Sequence, residues 1–246
     1  MGLEGKTIAI SGAARGLGAA LAIVAADRGM IPLLLGRNAA GIGAVADAIE
    51  QRTGKRPDAF VCDLADPLSV TGAASKIATV HPELDILVNS GSQWVGGAYT
   101  AMTDAQIAAV VDSTVTGTMA LTRRLLPLLL KRPEADIHTV VSMSGLPYAR
   151  MRGSSVPFVA AKHAQNGFVQ ALTEEMIGTS VRVTSVYPGH IEDTSPLEEN
   201  WDHPRGVEDA LSDRDVVDSI LFVLSQPRNV AIRSLVIERA RTEFLS

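Results

Sequence analysis

Three glycines in one short stretch carry the clearest chemistry in the chain. Ser11-Gly12-Ala13-Ala14-Arg15-Gly16-Leu17-Gly18 follows an apolar run and opens a helix-like segment. Gly12 can make the tight turn, Gly16 can let the backbone approach a pyrophosphate, and Gly18 can let helix and strand pack closely. The helix N-terminus then offers free N–H groups to phosphate oxygens. The chemistry implied is dinucleotide binding; the plainer alternative is a glycine-rich turn kept for packing. A second apolar run ends at Gly36-Arg37-Asn38, without an acidic residue. An acid there would hold the adenosine ribose diol and repel a 2′-phosphate. Arg37 can instead pair with that phosphate through its planar fork, and Arg15 can approach the same group. The expectation is NADP(H) in preference to NAD(H), against solvated surface charge for both arginines. Asp63 closes a third apolar run, where it can bond an adenine amino group or serve as an N-cap or turn residue.

Short apolar runs must position these residues. Thr7–Ser11, Ile31–Gly36, Ala59–Cys62, Ile86–Asn89, Ile137–Ser142, Val181–Tyr187 and Ser234–Ile237 read as strands. They are rich in Val, Ile and Leu without alternation, as strands buried on both faces should be. Helical patterns lie between them at Gly16–Arg28, Ala39–Arg52, Pro67–Val80, Asp104–Lys131, Pro157–Ile177 and Arg214–Leu224. This alternation predicts an α/β fold, a single-domain Rossmann-like doubly wound parallel sheet with helices on both faces. No linker interrupts residues 1–246. The longest irregular stretch, 188–213, has the length of a substrate lid, or of a surface loop pinned by Trp201.

Composition excludes several classes. At 46% apolar and 20% charged residues, the chain matches an ordinary soluble protein. A net charge of −5 gives no general attraction to nucleic acid. No apolar run reaches the ~18 residues of a membrane span. The N-terminus lacks the pattern of a signal peptide or a myristoylation site. Cys62 is the lone cysteine, so no intrachain disulfide can form; a buried, inert thiol in a cytoplasmic protein is expected. No metal-ligand spacing is present.

With these residues assembled, the chain resembles the short-chain dehydrogenase/reductase family along nearly its whole length. Ser11–Gly18 is similar to the family's TGxxxGxG, which implies cofactor contacts at Ser11, Gly12, Arg15, Gly16, Leu17 and Gly18. Asp63-Leu64 matches the adenine-contacting pair. Leu87-Val88-Asn89-Ser90-Gly91-Ser92 occupies the NNAG position, where only Asn89 agrees. Tyr187-Pro188-Gly189-His190-Ile191-Glu192-Asp193-Thr194 is similar to the PG loop, so Pro188, Gly189, Ile191 and Thr194 are expected beside the nicotinamide. The C-terminal stretch from Asp215 to Ile237 is similar to an NADP-preferring branch that includes dehydrogenases of serine and other 3-hydroxy acids.

The resemblance also assigns four catalytic positions. The serine after the fifth strand, which bonds the substrate carbonyl oxygen, is Ser142, with Ser144 as fallback. The tyrosine position is Phe158. A tyrosine there would share a helical face with Lys162, four residues on, and could exchange a proton with a carbonyl. Phe158 has no hydroxyl, so the proton-donor site is atypical. Lys162 keeps the ribose-binding role, and Thr114 replaces the asparagine that kinks the long helix around a water. Tyr148 in the lengthened loop and His190 in the PG loop are alternative proton donors, while Arg150 and Arg152 are either anion recruiters or solvated charges. His163, beside Lys162, points away around the helix.

Three functions follow as expectations. The first is an NADP(H)-dependent oxidoreductase acting on a small carbonyl or alcohol with an impaired proton-donor site. The second is an inactive NADP(H)-binding or partner protein of the same fold. The third is a non-redox enzyme reusing the pocket. The resemblance further implies association through the long helices, here Asp104–Lys131 and Pro157–Ile177, whose apolar stripes fit a homodimer or homotetramer unless both stripes face the sheet.

Overall fold

A computed structural model describes residues 2–149 and 153–241. Seven strands form one parallel sheet in the order β3-β2-β1-β4-β5-β6-β9. They are β1 (Thr7–Ser11), β2 (Ile31–Gly36), β3 (Ala59–Val61), β4 (Ile86–Asn89), β5 (Ala135–Val140), β6 (Val181–Pro188) and β9 (Ser234–Ile237). The helices are α1 (Gly16–Asp27), α2 (Ala39–Thr53), α3 (Pro67–Val80), α4 (Asp104–Val111), α5 (Gly117–Leu129), α6 (Val156–Glu175) and α7 (Asp213–Leu224). Two short strands, β7 (Ile191–Glu192) and β8 (Leu211–Ser212), pair in parallel apart from the main sheet.

The unbroken apolar runs have a physical reason. Successive strand side chains point to opposite faces, and both faces are covered. In β1, Ile8 and Ile10 join the core facing α1, α2 and α7, while Ala9 joins the core facing α3, α5 and α6. In β4, Ile86 and Val88 take the first side and Leu87 the second.

Register then brings polar groups together. Ser11 pairs with Asn89, Asn89 with Thr139, Thr139 with Ser185, and Ser185 with Ser234. A polar row therefore crosses the sheet, ending β1 and β4, lying one residue short of the end of β5, and continuing through the middle of β6 to the first residue of β9. The strand order reverses between β1 and β4, the point where open α/β sheets bind ligands.

Several boundaries differ from the expectation. The fifth strand lies at Ala135–Val140, not Ile137–Ser142, because the chain leaves the sheet after Val140 and turns at Met143–Gly145 in a 3₁₀ conformation. The helix expected over Asp104–Lys131 is widened into a π-helical turn at Asp112–Thr116, between α4 and α5. The stretch 188–213 holds β7, β8 and a 3₁₀ turn at Glu199–Asp202. Trp201 is half-buried against the core of α1, α2 and α7. No helix among the described residues is long and apolar enough to cross a membrane.

Candidate functional site

The glycine turn is built for close approach. Gly12 has φ +77° and Gly16 φ +53°, a region that favours glycine. A Cβ on Gly12 would lie 2.8 Å from the Gly91 Cα, and one on Gly18 would lie 2.4 Å from the Gly12 carbonyl oxygen. Ser11 Oγ accepts the N–H groups of Ser90 and Gly91, both at 3.1 Å. The segment after β4 is thereby pinned to the glycine turn. The first turn of α1 has no side-chain cap and no acidic residue. Its N–H groups thus lack the usual side-chain acceptor, which suits an anion. Half-buried Leu17 packs against the α1 core, and Arg15 is exposed.

Two residues not singled out from sequence stand beside this cradle. Arg37 Nη1 donates to Gln93 Oε1 at 3.0 Å. The bond joins the end of β2 to the loop after β4 and passes over the end of β1 between them. Asp193 Oδ1 would lie 3.5 Å from a Cβ on Gly16, which brings an acidic side chain close to the anion seat. Nothing in the local sequence signals either proximity.

Asp63 serves the turn after β3. Its Oδ1 accepts the Ala65 N–H at 3.0 Å, and its own N–H donates to Ser69 Oγ. Leu64 is buried, with its Cδ1 2.6 Å from where a Cβ on Gly91 would stand. Cys62 is buried, and burial together with neighbouring Asp63 pushes its thiol up to about 12. A thiol so placed stays protonated and unreactive.

Lys162 is the centre of the second half of the site. It is buried, and burial alone pulls its amine down to about 7. Its Nζ donates to the Val140 carbonyl at 3.1 Å and to Gln165 Oε1 at 2.9 Å. The Phe158 ring lies over it, with Nζ 5.5 Å from the ring centroid. Gln165 Nε2 reaches the Thr114 carbonyl in the π turn at 3.2 Å. Thr114 itself is fully buried, and its hydroxyl meets Ser92 Oγ at 2.8 Å. Asn89 donates through Nδ2 to Thr122 at 3.1 Å and Thr139 at 3.4 Å, while its buried Oδ1 has no hydrogen-bond partner.

A close contact sets the serine turn against α6. A Cβ on Gly145 would lie 2.6 Å from the Lys162 carbonyl oxygen. Ser142, half-buried, accepts the Ser144 N–H through its Oγ at 3.1 Å, so it caps the turn in the strand-end manner. Ser144 is buried. Neither alternative donor is drawn inward: Tyr148 and His190 are exposed. His163 is also exposed, with Nδ1 3.0 Å from the Val159 carbonyl oxygen. Arg150 and Arg152 lie outside the described residues.

The PG loop follows β6. The N–H of Gly189 donates to the Ile237 carbonyl at 2.8 Å, just after Pro188, and Ile191 opens β7. Thr194 is buried, and its N–H donates to Asp213 Oδ2 at 3.0 Å. Thr194 Oγ1 and Asp213 Oδ1 are both buried without a partner. Burial, with a smaller push from Asp193 and against the Thr194 hydrogen bond, raises the Asp213 carboxyl to about 6. Its position at the start of α7 reads in sequence as an ordinary first-turn acid; its burial does not show there. No cluster of metal-ligating side chains exists among the described residues.

The chain is similar to an uncharacterized oxidoreductase of Staphylococcus saprophyticus, at 26% identity over 96% of this chain and 97% of the relative. It is 28% identical to an NADP-dependent 3-hydroxy acid dehydrogenase of Schizosaccharomyces pombe, over 94% of this chain and 91% of that protein. In fold it matches L-sorbose reductase of Gluconobacter frateurii, solved with NADPH and L-sorbose. There the TM-score is 0.84 and the identity 20%, over 97% of each chain. A short chain dehydrogenase of Shigella flexneri 2a solved with NADP matches at TM-score 0.81 and 24% identity, over 96% of this chain and 98% of that one. The family model for short chain dehydrogenase matches residues 6–205, and with that span, this sheet order and this glycine cradle, the chain belongs to the short chain dehydrogenase family.

Proposed function

We propose that the protein is an NADP(H)-dependent oxidoreductase of small carbonyls or alcohols, with Phe158 in place of the usual proton donor. The observation that carries this reading is the uncapped α1 N-terminus beside Gly12 and Gly16, with Arg37 at the end of β2. NADP- and NADPH-bound neighbours of the same fold support it. Bound here, NADP(H) would supply the hydride. The α1 N–H groups would hold its pyrophosphate, Arg37 its 2′-phosphate, and Lys162 its nicotinamide ribose. Two of the three Lys162 ammonium donors are held by Val140 and Gln165, which leaves the third for the ribose.

The proton is the weak point of this chemistry. Ser142 can hold a carbonyl oxygen, but among the described residues its hydroxyl is bonded only by the Ser144 N–H, and Phe158 offers only a ring. A positioned general acid is worth about 10²–10⁴ in rate, whereas hydride delivery needs mainly proximity and orientation. The expected enzyme is therefore slow.

Fluorescence titration of the purified chain with NADPH and NADH tests the cofactor. NADPH should bind at least about tenfold more tightly, and Arg37→Ala should remove most of that difference. Turnover of a carbonyl panel by the Phe158→Tyr variant tests the proton. A rise of about 10²-fold or more is expected. Binding of neither nucleotide would sink the reading.

One observation favours a second reading, an NADP(H)-binding protein without turnover. Lys162 is already engaged by Val140, Gln165 and the Phe158 face. Nucleotide binding without hydride transfer in wild type and Phe158→Tyr alike would select it.

A further inference from the structure

Gln165 stands three residues after Lys162, on the same face of α6. It is 1% exposed. A buried amide is costly unless both of its ends are bonded. Here both are. Oε1 accepts from Lys162 at 2.9 Å, and Nε2 donates to the Thr114 carbonyl at 3.2 Å.

The acceptor of that second bond lies in an unusual place. In the widened turn, Gly117 N–H bonds the Asp112 carbonyl, five residues back. Such turns depart from the α-helical pattern and turn backbone groups toward new partners. Thr114 therefore presents its carbonyl to α6 while its hydroxyl faces Ser92.

We propose that Gln165 is a positioning residue: its amide fixes the Lys162 amine and ties it to the π turn, so that α6 and the helix carrying Thr114 present the lysine as one unit. The proposal rests on the reading of Lys162 as a cofactor ligand. An amide bridge is neutral. It offers the lysine an acceptor without a counter-charge, and it does not pass a proton from Lys162 onward to the Thr114 carbonyl. Burial lowers the lysine's titration, and an acceptor bonded to the ammonium opposes that fall by favouring the charged form. A linkage of this kind holds the cofactor's lysine firmly while closing one route for proton exchange, which matches the missing hydroxyl at Phe158.

Selective ¹³C labelling of lysine in the full chain tests this directly. Five resonances are expected, from Lys6, Lys55, Lys76, Lys131 and Lys162. Lys162 should titrate well below the ordinary lysine range. Gln165→Leu removes the acceptor from the buried ammonium, and the Lys162 midpoint should fall by about a further unit. Gln165→Glu sets a carboxylate against it, and the midpoint should rise by about two units. The four other lysines serve as the folding control. NADPH affinity should weaken about tenfold in Gln165→Leu, as for a buried ligand left loosely held.

A Lys162 midpoint unchanged in both variants would overturn the proposal. If Gln165→Leu does not fold, Gln165→Glu decides alone: a rise supports the contact and no rise overturns it. Failure of the wild type to bind NADPH is a separate result. It removes the cofactor reading and leaves the lysine titrations to judge the Gln165 contact.

Discussion

Asp213 shows how one buried side chain can set a pH dependence. Its Oδ2 accepts the Thr194 N–H, its Oδ1 has no partner, and burial raises its carboxyl to about 6 from 3.8. The folded state therefore keeps a proton that the unfolded chain has released between these two values. The stabilising contribution is complete below about 4 and is lost as pH rises through 6. Asp213→Asn keeps an acceptor for Thr194 and cannot ionise. It should stabilise the protein by about 1–3 kcal/mol at pH 8, less at pH 5. Urea unfolding at the two pH values measures this. An equal gain at both would assign the effect to packing and not to ionisation. The sequence could not have pointed here. An acid at a helix start normally faces water, and only the fold of Thr194 over it removes the water.

At the scale of elements, strands were legible because burial on both faces leaves unbroken Val, Ile and Leu runs. Thr7–Ser11, Ile31–Gly36 and Ile86–Asn89 have the boundaries their sequences imply. The glycine cradle was legible because its spacing is dictated by close approach. The π turn at Asp112–Thr116 was not, since one widened turn barely disturbs a 3.6-residue pattern. Gln165 was equally hidden, because a polar residue on a long helix reads as solvent-facing until Thr114 is placed opposite it. The helix glycines divide by the same criterion. A Cβ on Gly117 would lie 2.0 Å from the Leu64 carbonyl oxygen, while one on Gly43 or Gly72 meets nothing within 4 Å. Gly43→Ala and Gly72→Ala should each stabilise by about 0.5–1 kcal/mol through helix propensity. Gly117→Ala should destabilise by about 1–3 kcal/mol, because backbone must move. Thermal melts of the three variants give the comparison. A stable Gly117→Ala would mean that α5 and the loop after β3 can separate without cost.

Across the whole molecule, the ends of the sheet have different tasks. The carboxyl ends of β1 and β4 carry the glycine cradle and the Ser11–Asn89 pair. The amino ends of β5 and β6 carry a buried ion cluster. Arg182 donates to Asp136 at 2.6 Å and to the carbonyls of Leu224, Gln226 and Val230 at 2.9–3.0 Å. Arg228 adds a second bond to Asp136 at 3.1 Å and reaches the Ala135 and Ser180 carbonyls. These bonds tie α7 and the segment after it to the sheet from below, so that the chain can return to form β9. Methionine fills much of the arginine's volume without its donors. Arg182→Met should therefore cost about 3–5 kcal/mol, the range for breaking a buried pair and stranding one partner. Three carbonyls lose a donor at the same time, and Arg228 alone must neutralise Asp136. Because the cluster lies at the opposite end of the strands from the cradle, NADPH affinity of the folded variant should stay within about threefold of wild type, as for distant, independent sites. Urea unfolding reads the first quantity and nucleotide fluorescence the second. Intact stability would show that Arg228 suffices. Lost affinity at retained stability would show that the two ends of the sheet are coupled through β5 and β6.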